Sequence, residues 1–241
     1  MLYLVGIGPG AKSSMTQAAL RAIKEAEVIV GYSTYIHLVS EMLADKKVIQ
    51  TGMHGEISRC QKALELAQKY PKIVLICSGD AGIYGMAGLI FELEAKEKTK
   101  TKIKIIPGVT ASIGTAAKLG APLMNDFCQI SLSDLMTPWK VIEKRLEAAA
   151  WADFVICLYN PRSKSRPNNL HKALDIILQY KPKRTLVGIG KNIGRKNEIN
   201  KITTIGSLDE KEIDMRTTVI IGNKNTYCYD KKMITPRGYK L

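Results

Sequence analysis

One stretch of the chain, SGDAGIYG at residues 78–85, combines an acid with a nearly bare backbone directly after an apolar run. Glycine lets a flat polar ligand approach backbone N–H and C=O groups closely. The carboxylate of Asp80 could accept hydrogen bonds from an ammonium or hydroxyl group, or stabilise a positive charge. The alternative is a simple turn in which Asp80 bonds its own backbone. Because no Lys-Ser or Lys-Thr follows the glycines, the stretch is not a phosphate loop.

A second glycine-rich stretch, GIGPGA at residues 6–11, fits the dinucleotide-binding pattern G-x-G-x-x-A. Two details argue against a dinucleotide. Pro9 offers no backbone N–H to a pyrophosphate, and the next predicted strand leads from Val30 into Gly31 and Tyr32 without the expected acid. A structural turn that lets a large ligand approach is favoured, and an NAD(P)-dependent oxidoreductase remains an alternative.

Besides Asp80, few residues are candidates for acid–base catalysis or for binding a metal ion. His54, Glu56 and Arg59 lie close together in TGMHGEISRC. A His/Glu pair could bind a metal, but the other histidines, His37 and His171, are far away in sequence, so no metal site is predicted. Glu56 and Arg59 are three residues apart at a helix start, where an ordinary ion pair is equally expected.

A basic loop, YNPRSKSRPNN, follows an apolar strand in the second half of the chain. It contains three cations: Arg162, Lys164 and Arg166. Arginine forks bind carboxylates with two parallel hydrogen bonds, so the loop suits a polycarboxylate ligand. A solvated basic loop is the alternative. The later loop GKNIGRKN adds Lys191, Arg195 and Lys196, and two basic loops in one half favour ligand binding.

The charge balance points to an anionic partner. The chain has 36 basic and 22 acidic residues among its 241, a net charge of +14. Nucleic acid, an anionic membrane, a small acidic ligand or mere solubility could each account for it. Aromatic residues make up only 6%, which is few for a platform that stacks single-stranded bases.

Compartment and membrane signals favour a cytoplasmic protein. No stretch reaches the roughly 18 uninterrupted apolar residues that span a bilayer. The start, MLYLVGIGPG, has the pattern of a first strand and lacks the basic lead of a signal peptide. The five cysteines are odd in number, widely spaced and form no CxxC, so neither a disulfide framework nor a zinc site is predicted.

Apolar strands and amphipathic helices must position these loops. Strands are predicted at 3–7, 28–31, 47–51, 73–77 and 103–106, and then at 127–132, 154–158, 185–189, 201–205 and 217–221. Between the first two strands, Ser14 and Gln17 suggest a capping box. Further helices are predicted at 59–70 and 110–119, with Gly120 and Pro122 after the second.

The alternation predicts an α/β fold whose first sheet is mostly parallel and covered on both faces. We expect two domains, 1–120 and 121–241. Ligands of open α/β sheets bind outside the carboxyl ends of the strands. Five successive loops rich in glycine, proline and hydroxyl groups should therefore gather on one rim.

These loops, in this order, resemble the tetrapyrrole methylases, enzymes that use S-adenosylmethionine. GIGPG, GDAGIYG and PGVTAS carry the resemblance over nearly the whole chain. A narrower resemblance is to the branch that methylates C17 of a corrinoid precursor in cobalamin biosynthesis and contracts the macrocycle. It rests on VGYSTYIHLV, GMHGEISRCQKAL, SGDAGIYGMAG, LGAPLMNDFCQISLSDLMTPW, ADFVICLYNPRSKSRPNNL and MITPRGY.

The resemblance implies a mixed second sheet, a cofactor cleft between the domains and specific contacts. The implied donor contacts are Pro9, Ser78, Gly79, Asp80, Ile83, Thr110, Ala111, Tyr159, Asn192 and Ile193. The implied tetrapyrrole contacts are Gly8, Gly10, Arg162, Lys164 and Arg166. His54, Glu56 and Asp80 are the candidates for the proton movements of ring contraction.

The implied substrate is a tetrapyrrole with several acetate and propionate groups, with or without cobalt, and the donor leaves as S-adenosylhomocysteine. The +14 charge then needs neither nucleic acid nor a membrane as partner. Relatives suggest a homodimer. A methylase acting on another carbon of the same macrocycle remains an alternative, as does a basic nucleic-acid-binding protein.

Overall fold

The computed structural model describes residues 1–240 and divides by its internal contacts into two compact units, Met1–Ala111 and Ser112–Leu241. We call them the N-terminal and C-terminal units. The predicted domains, 1–120 and 121–241, remain a prediction; the division by contacts lies earlier, at the start of the helix Ala111–Leu119 (α5). This helix packs inside the C-terminal unit, where Thr115 lies against Gly190 and Leu119 against Gly188.

The N-terminal unit is built on five strands, all paired in parallel in the order β3-β2-β4-β1-β5. They are Leu2–Gly6 (β1), Val28–Tyr32 (β2), Lys47–Thr51 (β3), Ile73–Cys77 (β4) and Ile103–Ile106 (β5). The helices are Gln17–Glu25 (α1), Ser33–Leu38 (α2), Glu56–Ala67 (α3) and Ala87–Glu97 (α4), with short 3-10 turns at Lys12–Ser14 and Ser40–Met42.

Helices cover both faces of this sheet because successive strand residues point to opposite sides. Leu4 and Leu75 lie in a buried cluster that also contains side chains of α3 and α4. Val5 and Ile76 lie in a second cluster with side chains of α1 and α2. The central strand β4 is therefore buried along its whole length, as its continuous apolar run indicated.

The C-terminal unit has a five-stranded mixed sheet in the order β10-β9-β11-β8-β7, in which only β7 and β8 pair in parallel. Its strands are Phe127–Ser131 (β7), Val155–Tyr159 (β8), Leu186–Lys191 (β9), Ile199–Thr204 (β10) and Thr217–Ile221 (β11). A small second sheet contains Gly120–Ala121 (β6), Tyr227–Tyr229 (β12) and Lys232–Ile234 (β13). Besides α5, the helices are Trp139–Trp151 (α6) and Asn169–Ile177 (α7), with 3-10 turns at Ile205–Ser207 and Glu210–Glu212.

The predicted fold class, with a parallel first sheet and a mixed second sheet, is confirmed, and all ten predicted strands are present. Two local predictions are wrong. Ser14 belongs to a 3-10 turn, and the cap of α1 is Thr16, whose Oγ1 accepts a hydrogen bond from the Ala19 N–H at 3.1 Å. Helix α3 begins at Glu56 and ends at Ala67, earlier than predicted at both ends. Within residues 1–240, no helix is long and apolar enough to span a bilayer.

Candidate functional site

The loops after β1 and β4 are joined to each other through their backbones. Gly8 and Gly79 exchange two hydrogen bonds, one from the Gly8 N–H to the Gly79 carbonyl at 3.0 Å and one in return at 2.9 Å. Both residues have positive φ angles, 68° and 64°, a conformation that a side chain would strain. The bare backbone that the sequence showed here therefore has a structural cause.

The loop after β5 joins the same arrangement. A Cβ atom added at Gly108 would lie 2.2 Å from the Gly79 carbonyl oxygen and 2.6 Å from that of Gly6. Such distances are far below van der Waals contact, so only glycine allows these three loops to pack. The Gly79 backbone also adjoins Thr110 and Ala111: a Cβ atom added at Gly79 would lie 3.6 Å from the Thr110 Cα. We call residues 6–8, 78–80 and 107–109 the glycine junction.

Asp80 holds the glycine junction together. Its Oδ1 accepts a hydrogen bond from the Gly82 N–H at 2.7 Å, the local turn considered as an alternative above. Its Oδ2 accepts from the Gly108 N–H at 2.9 Å, which reaches the loop after β5. Both carboxylate oxygens thus accept hydrogen bonds from backbone N–H groups. The donor-binding and acid–base roles expected of Asp80 stay predictions beside this loop-fixing role.

Apolar side chains continue the loop after the junction. Ile83 and Tyr84 are exposed, 38% and 52%, and Tyr84 has a φ of 53°, unusual for an aromatic residue. Ser78 is half-buried and Thr110 is buried. Among the residues predicted to contact the donor, the structure brings Ser78, Gly79, Asp80, Thr110 and Ala111 to the same sheet edge. Pro9 and Gly10 directly follow Gly8 on the first loop.

The loop between β3 and α3 carries two of the predicted acid–base residues. His54 is exposed and has a φ of 63°, and Glu56 is the first residue of α3. The ion pair considered between Glu56 and Arg59 does not form. Arg59 is instead buried and donates from Nε to the Thr51 Oγ1 at 2.7 Å and from Nη2 to the Gly52 carbonyl at 3.0 Å. The described residues contain no cluster of three or more His, Cys, Asp or Glu residues suited to a metal ion.

In the C-terminal unit, Tyr159 ends β8 and its hydroxyl oxygen accepts a hydrogen bond from the Ser112 N–H at 2.8 Å, in the first turn of α5. Asn192 and Ile193 lie in the turn between β9 and β10. The Asn192 N–H donates to the Arg216 carbonyl at 3.1 Å, and the Ile193 side chain is buried. Both predicted donor-contact segments are therefore firmly held within this unit.

A carboxylate that sequence reasoning missed organises this turn. Glu198 Oε2 accepts from the Gly194 N–H at 2.7 Å, and Oε1 accepts from Asn200 at 2.9 Å and pairs with Lys118 at 3.0 Å. The Asn200 amide, then the Gly194 N–H and the Lys118 ammonium, lower the pKa of Glu198, while its partial burial opposes them. Only its position six residues after Asn192 could have drawn attention to it.

The basic loop is tied down by its own arginines. Arg162 donates from Nε to the Pro167 carbonyl at 3.1 Å and from Nη1 to the Glu210 carbonyl at 3.3 Å. Arg166 donates from Nη1 to the Ser133 Oγ at 3.0 Å. Lys164 is exposed between them. The structure gives the two arginines a loop-fixing role, and carboxylate binding by the three cations stays a prediction.

Cys60 and Cys77, the two cysteines of the N-terminal unit, are unsuited to act as nucleophiles. All five are free thiols, and Cys60 and Cys77 are fully buried. Burial raises the pKa of Cys60 to about 12 and that of Cys77 to about 11. A thiol with such a pKa is almost wholly protonated at neutral pH and reacts slowly.

Comparisons with known proteins place this geometry in context. The family described as Tetrapyrrole (Corrin/Porphyrin) Methylases matches residues 1–209. A probable cobalt-factor III C(17)-methyltransferase from Salmonella typhimurium is 56% identical over 241 residues, the whole of both chains. A precorrin-3B C(17)-methyltransferase from Sinorhizobium sp. is 37% identical over 99% of this chain and 96% of its own. The crystal structure of the methyltransferase CobJ superposes with a TM-score of 0.93 at 35% identity, over 98% of this chain and 99% of its own.

Proposed function

Because the chain belongs to the tetrapyrrole (corrin/porphyrin) methylases, we propose that it methylates C17 of a corrinoid precursor, cobalt-factor III or precorrin-3B, with S-adenosylmethionine as donor. Macrocycle contraction accompanies this step in cobalamin biosynthesis. The observation that carries the proposal is the 56% identity to a probable C17 enzyme along the full length of both chains. The proposed compartment is the cytoplasm, in keeping with five free thiols.

Methyl transfer from a sulfonium suits a site without a catalytic triad. The donor supplies an activated methyl group with its leaving group attached. As the ring carbon forms its new bond, the S–CH₃ bond breaks, its electron pair stays on sulfur, and S-adenosylhomocysteine leaves. The protein has to align the two partners and exclude water, which requires rigid surroundings rather than a strong base. The interlocked glycine junction supplies such rigidity.

For the donor we propose backbone and side-chain contacts from both units. In the N-terminal unit they are Pro9, Ser78, Gly79, Asp80, Ile83, Thr110 and Ala111. In the C-terminal unit they are Tyr159, Asn192 and Ile193. The support is that five of the first group meet at one sheet edge and that hydrogen bonds hold both segments of the second. An edge lined by main chain fits a polar, folded donor.

For the tetrapyrrole we propose Gly8, Gly10 and the basic loop as contacts. Lys164 is the exposed cation of that loop, and the net charge of +14 favours an acidic macrocycle. His54, Glu56 and Asp80 are the proposed groups for the proton movements of contraction. A homodimer is the proposed assembly, by analogy with relatives.

Turnover of purified substrate tests the proposal. The protein is incubated with S-adenosylmethionine and either cobalt-factor III or precorrin-3B, and products are analysed by mass spectrometry and NMR. We expect one methyl group at C17 for each S-adenosylhomocysteine released, in a contracted ring, and a clear preference for one of the two substrates. A methyl group on another carbon would identify a sibling methylase instead.

A binding measurement separates the remaining alternatives. We expect S-adenosylhomocysteine to bind and NAD(P)H and random duplex DNA not to bind at physiological salt. Binding of NAD(P)H without any response to the methyl donor would favour the oxidoreductase. Strongly salt-dependent DNA binding that the donor leaves unchanged would favour a nucleic-acid protein.

A further inference from the structure

Arg59 is an unusual buried cation. The residue is only 4% exposed and lies in the first turn of α3. Buried charges are normally paired with an opposite charge because their desolvation is costly. Among the ion pairs of residues 1–240, none involves Arg59. A cation kept buried without a counter-charge indicates a specific task.

Neutral groups hold the guanidinium from several sides. Nε donates to the Thr51 Oγ1 at 2.7 Å and Nη2 to the Gly52 carbonyl at 3.0 Å. Nη1 contacts the Met86 sulfur at 3.9 Å, and the guanidinium carbon lies 5.7 Å from the centre of the Tyr32 ring. A ring face attracts a cation, so the ring offsets part of the desolvation. The group is thus fixed where β2 and β3 end.

The Arg59 guanidinium holds the start of the loop that connects β3 to α3. It binds Thr51 and Gly52, where the loop leaves β3. The Arg59 backbone N–H donates to the Gly55 carbonyl at 2.9 Å, where the loop enters α3. The Ser58 hydroxyl donates to the same carbonyl at 3.1 Å. Residues 52–55 therefore lie between the Arg59 guanidinium, which holds Thr51 and Gly52, and the first backbone hydrogen bond of α3, which ends at the Gly55 carbonyl.

This loop presents exposed residues in a strained conformation. Met53 is 68% exposed, and His54 has a φ of 63°. A non-glycine residue with positive φ is strained and persists only where its surroundings impose that conformation. Glu56 follows at the first position of α3. Residues that fix this loop therefore control how His54 and Glu56, two positions apart in the chain, are placed relative to each other.

We propose that Arg59 is a positioning residue: it fixes the loop of residues 52–56 so that His54 and Glu56 keep one arrangement during ring contraction. The inference rests on the proposed function, since it assigns Arg59 a part in that reaction. An arginine suits the task because its planar fork offers several donors in fixed directions. A lysine offers one compact ammonium on a flexible stem and cannot replace it.

Arg59→Lys tests this, with Arg145→Lys on the exposed face of α6 as the matched control. Ring-contracted product and S-adenosylhomocysteine are measured together under single-turnover conditions. We expect Arg59→Lys to lower contraction by about tenfold to a hundredfold, the usual effect of misplaced reacting groups, while S-adenosylhomocysteine release changes less than threefold. The control should match the wild-type protein in both. Equal slowing of both readouts by Arg59→Lys would overturn the proposal in favour of a purely structural role.

A combined variant shows whether Arg59 acts through His54 and Glu56. On a background that carries both His54→Gln and Glu56→Gln, Arg59→Lys should change contraction by less than twofold, because residues acting through one another are not additive. Fully multiplicative losses would overturn the proposal. If Arg59→Lys does not fold, Thr51→Val removes one acceptor of the same guanidinium while keeping shape and volume, and the same two outcomes apply on a smaller scale.

An NMR readout tests the loop independently of turnover. The chain has only three histidines, so ring signals can be assigned with His54→Gln. At constant pH, Arg59→Lys should shift the His54 ring signals and leave those of His171 unchanged. Unshifted His54 signals would overturn the positioning role. Failure of the wild-type protein to methylate C17, with His54 shifted as expected, would instead overturn the proposed function and with it the part of Arg59 in contraction.

Discussion

The glycine junction of the N-terminal unit and the turn at residues 192–198 of the C-terminal unit reach rigidity by different means. At the junction, main chain packs on main chain, and one acid joins the loops through N–H groups. At the turn, the Glu198 carboxylate accepts hydrogen bonds from the Gly194 N–H and the Asn200 amide and forms an ion pair with Lys118. The close backbone contacts of the junction tolerate no added atom and do not themselves depend on salt, although one carboxylate, that of Asp80, also joins the loops. A charged cluster accepts changes in size but depends on ionisation and screening.

Gly108→Ala is expected to have the largest effect of the variants considered. The added Cβ would lie 2.2 Å from the Gly79 carbonyl oxygen, so the loops must separate. We expect a loss of about 1–3 kcal/mol in the free energy of unfolding and at least a tenfold loss of affinity for S-adenosylhomocysteine. Denaturant unfolding and calorimetry measure the two effects.

Gly88→Ala is its matched control, because no atom lies within 4 Å of a Cβ at that position of α4. It should leave affinity unchanged and stabilise the protein by up to about 1 kcal/mol through helix propensity. If Gly108→Ala behaved like this control, the junction would not be as tightly packed as described.

Asp80→Asn is expected to have the second largest effect. The amide retains one acceptor oxygen, so either the Gly82 or the Gly108 N–H loses its partner. We expect a loss of about 1–3 kcal/mol in unfolding free energy and weaker binding of S-adenosylhomocysteine. Asp45→Asn, at an exposed position of the same unit, controls for the lost charge. Equal effects of the two variants would argue against the role of Asp80 at the junction.

Glu198→Gln tests the charged turn of the C-terminal unit. We expect it to cost about 0.5–1.5 kcal/mol of unfolding free energy at neutral pH and to weaken binding of S-adenosylhomocysteine severalfold. The folded-state pKa of Glu198 lies below its ordinary value of 4.5. Its contribution is therefore fully present above pH 4.5 and is lost as the pH falls through the lower, folded-state value.

Unfolding of wild type and Glu198→Gln between pH 3 and pH 7 checks this, in low and high salt. The difference between the two proteins should shrink towards low pH and in high salt. If the difference in unfolding free energy between the two proteins did not change with pH, the size of the Glu198 side chain, and not its charge, would stabilise the turn. Gly108→Ala should show no such dependence on salt.

The smallest effect is expected in the basic loop. Lys164→Ala should raise the KM for the tetrapyrrole a few-fold with little change in kcat or stability, since an exposed cation provides uniform binding. Arg162→Ala removes bonds to the Pro167 and Glu210 carbonyls and should also lower stability. Steady-state kinetics measures KM and kcat of both variants, and thermal unfolding shows whether only Arg162→Ala lowers the stability. A fall in kcat alone for Lys164→Ala would point to a chemical role.

The strands and the loop order could be predicted because they depend on local patterns. Continuous apolar runs such as β4 and the alternation with helices follow from neighbouring residues. The sequence predicts Ser14 as the cap of α1, whereas the cap is Thr16. Both residues carry a hydroxyl group and precede the same apolar stripe, so the local pattern does not distinguish them. Local chemistry therefore predicts that a helix begins here but not at which residue.

The arrangement of the site could not be predicted in full because it depends on contacts between residues that are far apart in the sequence. The turn at Asp80 and Gly82 was readable, but its bond to Gly108 spans 28 residues and follows only from strand order. An ion pair between Arg59 and its helical neighbour Glu56 was one alternative, whereas the acceptors of Arg59 lie at Thr51 and Gly52 because the side chain turns back to the sheet edge. Lys118 and Glu198 meet only when α5 lies on β9 and β10.

The paired hydrogen bonds of Gly8 and Gly79 have a consequence for how this segment can evolve. One residue separates Gly6 from Gly8 and one separates Cys77 from Gly79, and both strands are in register up to those ends. A single insertion or deletion in either interval would misalign the two glycines and break their paired hydrogen bonds. The length of each interval, one residue, is therefore as strict a requirement of this arrangement as the glycines themselves.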